Sequence, residues 1–199
     1  MGGLLTDIPN FPPDVFLFET LSFNGYLRVL GEGGVAVFRR RQRIRFLDDG
    51  VGLFIDRIWG DGVLLAGYSV SRGIGIIEAL RTDKGYALLL SLPRRFNRGD
   101  VLDIETERRI VGAFTDRDGY WELAMNVPTH LMSLHISVPP RRRMSRPEIV
   151  APAKGDLSFK LRGSGAEFAV RGPAVHVPYR VEWRWKRKSR AIAARPSRG

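Results

Sequence analysis

The chain has 199 residues, 32 Lys+Arg against 21 Asp+Glu, and a formal net charge of +11. It has no cysteine, which excludes disulfide scaffolds, thiolate metal centres and cysteine nucleophiles. Apolar residues make up 44% of it, enough for a buried core and too many for wholesale disorder.

The opening Met1-Gly2-Gly3-Leu4-Leu5-Thr6 fits the letters of an N-myristoylation signal, a pattern short enough to arise by chance. Asp7, Asp14 and Glu19 all precede the first basic residue, Arg28. That order of charges is wrong for a secretory signal, so a cytoplasmic location is the expectation. Strand-like segments follow at residues 25–30, 35–47, 52–59, 63–70, 73–81, 86–92, 101–107 and 109–114. Asp49-Gly50, Asp61-Gly62, Lys84-Gly85 and Asp118-Gly119 punctuate them, dipeptides suited to the positive φ of tight hairpin turns. Helical periodicity competes only near residues 75–80 and at the extreme C-terminus.

Further along, residues 120–127 place Trp121, Leu123, Met125 and Val127 on one face, and residues 132–138 do the same for Met132, Leu134, Ile136 and Val138. Pro139-Pro140, Pro147 and Pro152 then punctuate an arginine-rich stretch that reads as a linker or a crossing strand. Residues 157–162 and 167–171 form a hairpin. In residues 175–185, Val175, Val177, Tyr179, Val181, Trp183 and Trp185 alternate with polar residues and Pro178, a period of two that no helix can use. Six apolar alternate positions make Trp183 and Trp185 core residues rather than a stacking platform. Pro178 cannot donate to a ladder, which predicts an edge or bent strand. About a dozen short strands with glycine turns predict an all-β, antiparallel β-sandwich, jelly-roll-like or extended immunoglobulin-like, with little helix. Residues 1–138 are read as the main sandwich. Residues 139–185 are a Pro/Arg-rich crossing, a hairpin and a long strand packing on it, and residues 186–199 are a basic arm.

The charge is not spread evenly. Residues 1–138 hold 16 Lys+Arg and 17 Asp+Glu, a net of −1, while residues 139–199 hold 16 and 4, a net of +12. Arg141, Arg142, Arg143, Arg146, Lys186, Arg187, Lys188 and Arg190 are therefore the candidate anion-binding residues. Such runs hold phosphate backbones by counterion release or adhere to anionic lipid. A second candidate stripe is Arg39, Arg41, Arg43 and Arg45, which share one face of a strand while Ile44 and Phe46 face the other way. A solvated face paired with acids on a neighbouring strand explains the same pattern.

Motifs for chemistry are weak. Asp103, Glu105 and Glu107 alternate and would share a face, the one grouping that could serve a carboxylate-dependent hydrolase or lyase. The calcium-loop start at Asp116-Arg117-Asp118-Gly119 has Val127 where a bidentate Glu is required. Gly73-Ile74-Gly75 lacks the remaining glycine of a dinucleotide fingerprint, and Gly67-Tyr68-Ser69-Val70-Ser71 lacks the last glycine of a nucleophile elbow. His130 and His135, five apart, fall on opposite faces of a strand. No catalytic residue, metal ligand or cofactor is assigned. The uncharged stretch 123–140 contains Pro128 and Asn126 and ends in two prolines, so no transmembrane span is expected. The sequence points to a non-catalytic β-rich binding module, a subunit of a larger assembly with a protein partner, whose basic arm touches an anionic partner. The rival readings are a direct nucleic-acid binder or a peripheral protein of anionic membranes, each acting through residues 139–199.

Overall fold

The computed structural model describes residues 16–31, 34–83, 85–116, 118–139, 144–150, 156–162 and 165–185. Among them are thirteen strands and no helix. In chain order they are β1 (Phe18–Val29), β2 (Ala36–Phe46), β3 (Val51–Trp59), β4 (Val63–Val70), β5 (Gly75–Thr82), β6 (Gly85–Phe96) and β7 (Val101–Val111). Then come β8 (Asp118–Ala124), β9 (Leu131–Ser137), β10 (Met144–Val150), β11 (Asp156–Arg162), β12 (Gly165–Arg171) and β13 (Pro178–Trp185). The molecule is all-β, with several largely antiparallel sheets. A seven-stranded sheet runs β11-β12-β9-β1-β2-β7-β4, and two three-stranded sheets run β10-β13-β8 and β3-β6-β5. The β1–β9 pair is parallel and the other described strand pairs are antiparallel.

The period of two explains which face of the large sheet became the core. On β2, Phe38, Ile44 and Phe46 are buried and the odd-numbered arginines point out. On β1 the inward set changes parity, from Thr20 to Phe23, Leu27 and Val29. A register shift against β2 between Thr20 and Ser22 absorbs the extra residue, as a bulge does. Both small sheets pack on this one inner face. Phe46 stacks on Phe96 of β6 at 4.6 Å and Phe18 meets Phe54 of β3 at 5.2 Å. Phe38 meets Trp121 of β8 at 4.8 Å. Each such side chain contributes about 1.5–3 kcal/mol through burial.

Four sequence expectations need correction. Residues 101–107 and 109–114 are not two strands; β7 runs unbroken through Arg108. Pro178 marks neither an edge nor a bend. It is the first residue of β13, the middle strand of its sheet, where a missing N–H removes least. The alternation expected from residue 175 begins as a strand only there, because His176 adopts a left-handed φ of 63°. Finally, Asp118-Gly119 is no turn centre but opens β8. Its glycine is needed for packing: a Cβ on Gly119 would lie 2.6 Å from the indole of Trp183, itself 2% exposed.

Asp49-Gly50 and Asp61-Gly62 do act as turns, with φ of 71° and 83° at the glycines. Within the stretch expected to be a linker or crossing strand, β10 pairs with β13. The β11–β12 hairpin extends the large sheet beyond β9.

Gly119→Ala forces the buried Trp183 ring to move, an overpacking cost of about 2 kcal/mol. Thermal unfolding of the variant should fall by roughly 4–8 °C. An unchanged midpoint would show that the β8–β13 contact is looser than the structure has it.

Candidate functional site

The inner face of the large sheet is not closed by apolar side chains alone. Even positions on β2 and β7 carry Arg40 and Arg108 among phenylalanines and isoleucines. Arg40 stands opposite Thr106, and Arg108 lies between Phe38 of β2 and Tyr68 of β4 in the ladder. Facing them from β3 is Asp56, which alternates inward with Phe54 and Ile58. The Arg40 Nη1 donates to Asp56 Oδ1 at 2.7 Å, and the Tyr68 hydroxyl donates to Asp56 Oδ2 at 2.8 Å. This is a nearly dry ion pair, with side chains 11% and 3% exposed. Burial first, then the negative charge of Asp56, pushes the Tyr68 hydroxyl far above its ordinary range, so it stays a donor at all working pH.

Among the described residues, no carboxylate lies within ion-pair distance of Arg108. Burial pulls it down to about 10, against the opposing attraction of Asp56. It remains charged at neutral pH. Its guanidinium lies 5.3 Å from the centre of the Phe38 ring and 5.6 Å from that of Trp121, close enough for cation–π attraction to both. Arg40 Nε and Nη2, Arg108 Nε and Nη1, and Trp121 Nε1 are all buried with no hydrogen-bond partner among the described residues.

Arg40, Asp56, Tyr68, Arg108 and Trp121 are among the residues that line a cavity of about 950 Å³. Its floor comes from β1, β2, β4 and β7 and its walls from β3 and β8. Phe38, Phe54, Ile58, Leu64 and Trp121 make it mostly apolar, and Gln42 donates to Thr20 at 2.7 Å deeper in. Its rim is polar. Tyr120 donates to Asp61 at 3.0 Å, and Arg180 donates to Glu122 at 2.9 Å while its guanidinium lies 4.7 Å from the centre of the Tyr120 ring. An apolar volume of this size with a few convergent polar groups is the ordinary form of a small-molecule site.

The residues singled out from sequence lie elsewhere. Arg141, Arg142, Arg143, Lys186, Arg187, Lys188 and Arg190 are outside the described residues, as is the whole arm 186–199; Arg146 belongs to β10. Arg39, Arg41, Arg43 and Arg45 share the outer face of β2, each with a carboxylate partner. Arg39 and Arg41 both bind Glu105, Arg43 reaches Asp103 at 3.7 Å, and Arg45 pairs with Glu19. The Asp103, Glu105 and Glu107 face is thus a half-exposed ladder against arginines, away from the cavity. His130 meets that same Glu19 at 2.8 Å, and His135 stacks on Tyr26 at 5.0 Å. The inner cluster of Arg40, Asp56, Tyr68 and Arg108 was missed. Parity would have found Arg40 and Asp56, since each shares a face with aromatic neighbours two residues away.

No family model matches the chain, and no curated protein matches its sequence. Among solved structures it is similar to the M1 zinc metallopeptidase of Deinococcus radiodurans. A mutant bound to a Tyr-Ser-Ala substrate gives a TM-score of 0.47 at 10% identity, over 83% of this chain and 42% of that one. A second structure of the enzyme gives 0.45 at 12%, over 82% and 42%. The chain therefore spans less than half the length of these proteins, and a likeness at this level carries no argument about function.

Asp56→Asn removes the one carboxylate set against two buried guanidiniums. Urea unfolding should show a loss of about 3–5 kcal/mol, the usual cost of breaking a buried pair. Adding Arg40→Met to Asp56→Asn should recover part of it, because one stranded cation is then gone. A single variant as stable as the parent would mean that water reaches Arg40.

Proposed function

We propose that this protein is a non-catalytic β-rich binding module. Its ligand site is the cavity between the sheets, and its basic C-terminal arm, residues 186–199, contacts an anionic partner within a larger assembly. The observation that supports the first part is a largely apolar cavity of roughly 950 Å³ whose lining includes Arg40 and Arg108, each with buried nitrogens that have no hydrogen-bond partner among the described residues. Leaving a buried donor unmade costs about 1–3 kcal/mol. A cavity wall that keeps several of them is suited to a bound acceptor.

The support for the second part is the net +12 of residues 139–199 beside the net −1 of residues 1–138. A chain whose charge is segregated in this way attracts an anionic surface through one end while the rest stays nearly neutral.

Both parts are open to direct measurement. A neutral, environment-sensitive dye such as Nile red should bind the full chain with a blue-shifted emission. Filling the cavity with Leu64→Trp or Ala87→Phe should abolish that signal while the circular dichroism stays that of a β protein. Dye binding that survives both replacements would place the dye elsewhere and remove this reading.

Deleting residues 186–199 should remove most of the retention on a polyanion such as heparin. Retention of the full chain should fall steeply between about 50 and 200 mM salt. If the truncated and full chains elute together, the arm 186–199 is not the anionic contact.

A further inference from the structure

The charge balance inside the cavity specifies its ligand more narrowly than its shape does. Among the nearly buried lining side chains, two guanidiniums, Arg40 and Arg108, stand against one carboxylate, Asp56, a local excess of one positive charge; the rest of the lining, half-buried Glu78 included, is on balance acidic and nearer solvent. Asp56 is saturated on the side it presents: one oxygen takes Arg40 Nη1 and the other takes the Tyr68 hydroxyl. It has left Arg40 Nε and Nη2 and Arg108 Nε and Nη1 unused. Arginine donors come as planar forks that match a carboxylate through two parallel bonds. Around them the lining is aromatic and aliphatic, with Phe38, Phe54, Ile58, Leu64 and Trp121.

We propose that the cavity takes a small amphiphilic monoanion, a carboxylate head set against the guanidiniums of Arg40 and Arg108 with an apolar body among Phe54, Ile58 and Leu64. This rests on the cavity being the ligand site. A monoanion completes the balance of the cluster, whereas a doubly charged phosphate monoester would leave a buried negative charge unmatched. The carboxylates at the rim do not oppose it strongly. Glu122 is paired with Arg180 at 2.9 Å, Asp61, Asp116 and Asp118 are exposed and screened by water and salt, and half-buried Glu78 lies on β5, in a different sheet from Arg40 and Arg108. Trp121 Nε1, also buried without a partner, is a further donor on the same wall.

The experiment uses the full chain with Nile red bound and three competitors of one chain length, dodecanoate, dodecanol and dodecyl phosphate, each below its micellar concentration. Dodecanoate should displace the dye at about tenfold lower concentration than dodecanol, the margin expected of charge-assisted hydrogen bonds. It should also outcompete dodecyl phosphate at pH 8. Arg108→Met should erase the preference for dodecanoate over dodecanol, read as the ratio of their displacing concentrations within that variant; Arg108→Gln serves the same purpose if the Met variant does not fold. Equal displacement by acid and alcohol, a stronger effect of the phosphate, or a preference that survives loss of Arg108 overturns the proposed ligand class while leaving the cavity as a site. A dye that does not bind, or that none of the three displaces, overturns the cavity reading itself.

Discussion

One buried carboxylate holds the two halves of the core in register. Asp56 belongs to β3 in a three-stranded sheet, while both of its partners, Arg40 and Tyr68, belong to the seven-stranded sheet. Taking a carboxylate and a guanidinium out of water costs several kcal/mol per ion, recovered only when geometry is good and the remaining lone pairs are met. Here each Asp56 oxygen receives one short donor, from β2 and from β4. A sliding of β3 by one residue would turn Asp56 outward and strand Arg40 in an apolar setting. The pair therefore fixes register across sheets, a task that the neighbouring Phe18–Phe54 contact, being non-directional, does less strictly.

The same two strands use arginine in two ways. On the outer face of β2 and β7, Arg39, Arg41 and Arg43 meet Glu105 and Asp103 in half-exposed pairs. In water such pairs are worth little individually, and they serve mainly to keep the sheet face soluble and two-signed. Arg39 and Arg41 still hold the Glu105 carboxyl below its usual range, even though its slight burial acts the other way. On the inner face, one residue out of phase, Arg40 and Arg108 lie where the dielectric is low and each unmade hydrogen bond counts. Identity is shared; the pleat decides the role.

Much of this was legible in the sequence, and the failures have physical causes. Alternation located most strands, and the buried tryptophans of β13 followed from six apolar alternate positions. Turn chemistry was right where glycine adopts positive φ, as at Gly50 and Gly62, and misleading at Gly119, where the indole of Trp183 demands the missing side chain. The candidate site was nearly invisible. Arg40 sits within a run of basic residues whose odd members draw the eye, and Arg108 fell in the gap between two expected strands. Tyr68 follows a register shift in β4 that no local pattern records. A polar residue buried by tertiary packing breaks the binary pattern at the point where that pattern is being used to find strands. Sequence rules thus fail at the positions most suited to function.

The net charge of +11 then separates into two physically different components. Segment 139–199 carries an excess of +12, an effect that acts at long range and falls off over a Debye length of about 8 Å at physiological salt. The local excess of positive charge at Arg40, Arg108 and Asp56 is a single unit, yet it lies among aromatic rings where screening by salt is weak. The first can draw a molecule toward an anionic surface but selects little beyond sign. On the proposed reading, the second acts only on a molecule inside the cavity, where position, charge and shape must match together. Ionic strength distinguishes them: a contact made by the C-terminal segment weakens with added salt, while one made at Arg40 and Arg108 hardly changes. The composition that suggests a generic basic protein therefore averages over cations in two very different dielectric surroundings.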